Sequence, residues 1–271
     1  MSNRYRSHLP PEILDCIVDL LHDKPEALKQ CCLVSKSWVP RTRNHLFARI
    51  RFQYPGDLGL WKKAFPDPAY SPAYHTRTLS VLFPQVVVAV EEGGWIRMFP
   101  RVVRLVVYNG GLENLYGSDV SLAPFQSFSP VLKSLRVISG TIPHSQVLDL
   151  ACSLPLLEDL CVIEYGWDGS HRDGPVFQHS TSPASTGTLE LHLTYGMEDI
   201  THRLLGLPNG LHFRKLVCTW SFEEHVLWMT PLVMGCFDTL ECVDIDCRLY
   251  STFPRLLCLR SGPYSDTCLH Q

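Results

Sequence analysis

The chain has 271 residues, 45% of them hydrophobic and 19% charged, with a formal net charge of −3. That length holds one large domain, or a small one and a medium one, and the hydrophobic share is that of a folded protein and not of a disordered one. Residues 1–52 carry nine Lys/Arg against five Asp/Glu and the remainder 15 against 22, so neither part has the basic excess of a nucleic-acid binder.

In chain order, residues 1–8 form a polar lead-in. Leu9 to Ile50 then reads as three short helices. Pro10-Pro11 suits a first helical turn, where backbone N–H groups lack partners, and Glu12 and Asp15 suit the positive end of the helix dipole. Ile13, Leu14, Ile17, Val18, Leu20 and Leu21 recur at helical spacing. Pro25 opens a second helix with Ala27, Leu28, Cys31 and Cys32, followed by Leu33-Val34. Ser35 is the expected N-cap of a third helix carrying Trp38, Leu46, Phe47 and Ile50, shortened or kinked by Pro40. Arg41, Arg43, Arg49 and Arg51 are read as its solvated face.

Leu9-Pro10-x-Glu12, Ile17-x-x-Leu20, Leu33-Val34-Ser35-Lys36-x-Trp38, Leu46-Phe47 and Ile50 follow one another as in an F-box. The stretch resembles a fungal-type F-box domain and covers about a fifth of the chain. The resemblance implies a Skp-type adaptor as partner and, through it, the cullin of a ubiquitin ligase. It places adaptor binding on Leu9, Pro10, Ile13, Leu14, Ile17, Leu33, Val34 and Trp38, which are expected to form an exposed apolar surface. The alternative is an ordinary three-helix subdomain packed on the rest of its own chain.

Residues 53–75 hold Pro55, Pro66, Pro68 and Pro72, and read as a stiff, irregular connector ordered by Trp61, Phe65, Tyr70 and Tyr74. From residue 76 to 271 a pattern of apolar-x-x-apolar-x-apolar recurs. It fits Val102-x-x-Leu105-x-Val107, Leu132-x-x-Leu135-x-Val137, Leu157-x-x-Leu160-x-Val162 and Leu240-x-x-Val243-x-Ile245. Weaker copies centre on Leu79, Leu191 and Leu216. A period in the twenties marks a solenoid, and the alternation suits short strands with one face inward. Ser145–Leu154, Asp199–Leu207 and Glu223–Cys236 read as intervening helices, the last interrupted by Pro231. Units of this length give parallel strands with helices on the outer face. The expected fold is therefore α/β: a helical module, the connector, and a solenoid that resembles the leucine-rich repeats of many F-box proteins. The repeats are degenerate, because the family's Asn or Cys ladder position is here Pro84, Gly110, Gly140, Tyr165, Gly196, Ser221 and Arg248. A non-repeat α/β domain is the alternative. Asn109–Pro130 and Glu164–Gly187 read as surface loops, and Arg255–Gln271 lacks a cap-like amphipathic element.

No chemistry-bearing motif emerges. Twelve histidines are scattered without metal-ligand spacing, and Asp244-x-Asp246 has the alternation of a solvent-facing strand. Eleven cysteines with no Cys-x-x-Cys suggest buried small apolar residues in a reducing compartment, cytoplasm or nucleus. No leader is read at the N-terminus. The longest apolar run, Val81–Val90, is broken by Pro84-Gln85 and too short for a bilayer. The expectation is a non-catalytic adaptor of a ubiquitin ligase, without metal or cofactor and with neither nucleic acid nor membrane as partner. An unknown protein substrate would lie on the open face of the sheet, where alternation puts Arg104, Tyr108, Arg136, Glu190 and His192. The rivals are an interaction scaffold that joins no ligase and an enzyme with a site assembled from distant residues.

Overall fold

The computed structural model describes residues 10–54, 56–67, 70–83, 96–109, 122–128, 130–139, 142–164, 183, 185–193, 197–220 and 225–247. Leu9, Tyr116, all seven ladder positions and the C-terminal stretch from Arg248 lie outside them, as does most of the Glu164–Gly187 loop.

Three helices come first: α1 (Pro11–Asp19), α2 (Pro25–Val34) and α3 (Val39–Leu46), each with proline at its first or second position. Pro40 lies in the first turn of α3 and shortens the helix from the expected start, without interrupting it. The N-cap is Trp38 and not Ser35, because Pro40 is tolerated only where no intrahelical donor is needed. Asp19 at the end of α1 accepts hydrogen bonds from Arg41 and lies 2.7 Å from His45 Nε2, tying α1 to α3. Arg41 first, then His45, holds the Asp19 carboxyl well below the usual carboxylate range.

Ile50 does not extend α3. It belongs to β1 (Arg49–Phe52), whose alternation of exposed and buried residues sends Ile50 and Phe52 into the core. Two residues read as one face of a helix, Arg49 and Arg51, are instead alternate residues of this strand. The boundary expected at residue 52 thus falls inside the sheet. The connector contains a helix as well, α4 (Asp57–Ala64), fitted between the prolines and started by Gly56 at φ 94°. Trp61 on α4 meets Phe47, Phe52, Phe65 and Phe99 with ring centroids 4.7–6.2 Å apart, so Trp61 and Phe65 pack as expected, whereas Tyr70 and Tyr74 are exposed.

The remaining strands are β2 (Thr78–Phe83), β3 (Arg104–Asn109), β4 (Ser134–Ile138), β5 (Asp159–Ile163), β6 (Thr188–His192), β7 (Lys215–Trp220) and β8 (Cys242–Cys247). With β1 they make one eight-stranded sheet in which spatial order equals chain order and every pair is parallel. Parallel neighbours need a crossover, and α5 (His144–Cys152), α6 (Met197–Leu205) and α7 (His225–Gly235) supply three. Pro231 lies within α7 without ending it. The result is an α/β architecture with one parallel sheet, compatible with a solenoid.

The core lies between the sheet and the helices. Ile50, Leu79, Leu105, Leu135, Leu160, Leu189 and Leu216 stand in register across seven strands and are buried. Two expectations fail here. The sixth strand centres on Leu189, because Leu189 and not Leu191 faces Leu160 and Leu216. Leu191 is buried one position along, beside Val162 and Cys218. Val243 was expected in the core, but it is 41% exposed. Among the described residues β8 has a neighbour on one side alone, so its inward side chains are half covered. Phe125 and Phe128, expected in a surface loop, are buried in a 3-10 turn (Ala123–Phe128) that packs on the core.

Candidate functional site

Two surfaces carry the residues singled out from the sequence. The first is the helical module. The contiguous core begins at Ile50, and within α1–α3 the buried apolar residues are Val18, Leu28 and Cys31. Besides Glu12, Asp15, Glu26, Lys29 and Gln30, α1 and α2 turn several apolar side chains outward. Ile13, Ile17 and Leu20, at i, i+4 and i+7 of one helical stripe, are 48%, 39% and 80% exposed, and Leu33 and Val34 are 80% and 68% exposed. Pro10 is exposed; Leu14 and Trp38 are half-buried. Cys16, read as a core residue, is exposed on α1. Leucine and isoleucine left in water at this density cost roughly 25 cal/mol per Å² of apolar surface relative to burial. Such a surface is characteristic of a partner site.

The second surface is the face of the sheet opposite the core. One register row runs Arg51, Ser80, Val106, Arg136, Cys161, Glu190, Val217 and Asp244. The next runs Leu82, Tyr108, Ile138, Ile163, His192, Thr219 and Asp246. The structure brings three of the five nominated residues together. Arg136 Nη2 donates to Glu190 Oε1 at 3.1 Å across two strands, and His192 Nε2 lies 2.6 Å from the same oxygen. His192 Nδ1 lies 2.5 Å from Thr219 Oγ1, so the ring is held on both sides. The hydrogen bond from His192, with the Arg136 charge beside it, brings the Glu190 carboxyl down to about 2 against the opposing effect of burial. Cys161 sits between them, its thiol raised above the ordinary range by burial and then by Glu190. Tyr108 stands apart, with the Arg51 guanidinium 5.2 Å from its ring centroid. Arg104 is exposed.

The Thr219–His192–Glu190 line has the order of a hydroxyl, a base and an orienting carboxylate. It lies on an open sheet face, and Arg136 holds Glu190 in a structural ion pair. Arg51, Cys161 and Thr219 were not nominated from the sequence. Their relation to Tyr108, Glu190 and His192 depends on strand register, which no local motif encodes. Among the described residues no group of three His, Cys, Asp or Glu has metal-holding geometry, and no helix is long and apolar enough to cross a membrane. No protein-family model matches the chain, and neither a curated protein nor a solved structure matches it.

Proposed function

We propose that this chain is the substrate-recognition subunit of a Skp–cullin–F-box ubiquitin ligase. The helical module takes the Skp-type adaptor, and the repeat-like sheet takes a protein substrate. The observation that carries the reading is the exposed stripe Ile13, Ile17 and Leu20 on α1 together with Leu33 and Val34 at the end of α2. It stands on the stretch whose sequence resembles an F-box.

The mechanism is proximity. A substrate held beside a charged ubiquitin-conjugating enzyme meets it at an effective concentration on the order of millimolar, so the chain needs no active site of its own. β1 matters to that arrangement. It follows α3 after two residues and pairs with β2, so the adaptor-binding helices are joined to the recognition sheet through a strand. Rigid attachment keeps the effective concentration from being diluted by a long tether. The cytoplasm or nucleus is the compartment in which the adaptor and cullin would be met.

Capture of a purified Skp-type adaptor by the full chain tests the adaptor half, with Leu9→Ala/Pro10→Ala as the paired variant. Equal recovery by both chains, or none by the wild type, removes the reading. The rival is a scaffold that binds the adaptor and joins no ligase. Co-purification of cullin with the adaptor-bound chain decides for the ligase, and its absence for the scaffold.

A further inference from the structure

The open face of the sheet is divided by charge. On β1–β4 its charged residues are Arg49, Arg51, Arg104 and Arg136, with no acid among them. On β5–β8 they are Asp159, Glu190, Asp244 and Asp246 against Lys215 alone. Arg49 pairs with Asp23 at 3.0 Å and Arg136 with Glu190 at 3.1 Å. Arg51 and Arg104 are exposed and, among the described residues, have no carboxylate partner. Between them on β2 lie the half-buried hydroxyl side chains Thr78 and Ser80.

We infer that the β1–β4 half of this face docks an extended, acidic segment of a protein partner, rich in Asp and Glu. The inference rests on the proposal that the sheet is the recognition surface. Charge complementarity selects the occupant. Two guanidiniums without a carboxylate partner among the described residues attract carboxylates, and the acids of β5–β8 disfavour an acidic chain on the other half. Spacing admits an extended conformation. Arg104 pairs in register with Ser134, two residues before Arg136, so strand spacing and rise put the two Cα atoms about 8 Å apart. Arg51 lies two strands from Arg104 and one pleat repeat away, about 12 Å by the same reckoning. Four residues of an extended peptide span about 13 Å, so acids four positions apart on one side of it can meet Arg104 and Arg51. The hydroxyl-bearing residues between the guanidiniums offer donors to the remaining carboxylate oxygens.

Fluorescence anisotropy with labelled eight-residue peptides and the intact chain tests this. The probes are alternating Glu-Ser and its neutral Gln-Ser counterpart, with a phosphoserine-Gly alternation as a third arm. The expected result is binding of the Glu-Ser peptide that weakens with added salt. Arg51→Gln/Arg104→Gln should weaken it about three- to tenfold, and Arg104→Lys should restore part of the loss. Equal binding of the Gln-Ser peptide, or an unchanged affinity in the double variant, overturns the inference. Binding confined to the phosphoserine peptide also overturns it and assigns the arginines to phosphate. Adaptor capture is measured on the same preparations. A double variant that captures adaptor like the wild type is folded, so lost peptide binding then belongs to this face. Failed adaptor capture by a wild type that binds the acidic peptide removes the ligase reading and leaves this one standing.

Discussion

Truncating Leu135 to alanine tests the repeat-like core at its centre. Leu135 is fully buried on β4, between Leu105 and Leu160 in register on the flanking strands. The substitution removes three carbons, about 2.4 kcal/mol of transfer free energy at about 0.8 kcal/mol per buried CH2. A cavity term adds to that. The neighbours above and below are fixed by ladder hydrogen bonds and cannot collapse fully into the space, so the total should be about 3–4 kcal/mol. Val243→Ala is the internal control. It occupies the same register row on β8 but is 41% exposed, so it should cost about 1 kcal/mol or less. Urea unfolding of the two variants measures both, read as a shift in midpoint at unchanged slope. Equal costs at the two positions, or a Leu135→Ala cost under about 1 kcal/mol, would refute a core graded from central strands to edge.

Other outcomes follow from the same geometry. Glu190→Gln should destabilise the chain at neutral pH. The Glu190 carboxyl falls from 4.5 to about 2 on folding, so its contribution is present above pH 4.5 and is lost as pH drops toward 2. The stability gap between wild type and Glu190→Gln should therefore close over that window in acid titrations, and a constant gap would contradict the Arg136–Glu190–His192 assignment. Gly187→Ala should destabilise by about 1–3 kcal/mol, since a Cβ would sit 2.3 Å from Asp159 Oδ1 and displace the carboxylate that accepts from the Thr188 N–H; thermal unfolding reads it. Among the cysteines of described burial, alkylation at pH 8 followed by mass spectrometry should modify exposed Cys16 and Cys242 first. Cys152 and Cys218, which burial pushes up to about 12, should react only on unfolding.

What the sequence makes legible is what alternation and turn chemistry encode locally. Leu105-x-Val107, Leu135-x-Val137 and Leu160-x-Val162 each state a strand and its buried face, and their recurrence states the sheet. The frame slips at the sixth strand for a physical reason. Leu189, Leu191 and Leu193 alternate, so two frames satisfy the pattern equally, and the choice is made by pairing with Leu160. Ile50 and Phe52 are too few to declare a strand while a helical reading of Leu46-Phe47 runs into them. The prolines around α4 suggested irregular chain, yet all of them flank the helix, where they restrict only its ends. Val243 obeys the pattern but not the burial, because a motif does not know that its strand is at an edge. The charge division of the open face was visible as a list of residues with both signs. Its separation into two halves needed the strand order.

The adaptor claim is tested most directly by the affinity of the full chain for a purified Skp-type adaptor, measured calorimetrically. Ile13→Ala/Leu33→Ala is compared with Leu60→Ala/Tyr70→Ala, which also removes exposed apolar side chains, 67% and 82% exposed, but from outside the helical module. Large buried anchors at an interface cost about 2 kcal/mol or more on truncation, roughly thirtyfold in Kd. The account predicts a loss of that size or greater for the first variant and none for the second. An adaptor that does not bind the wild type, or that binds both variants as tightly as the wild type, contradicts it.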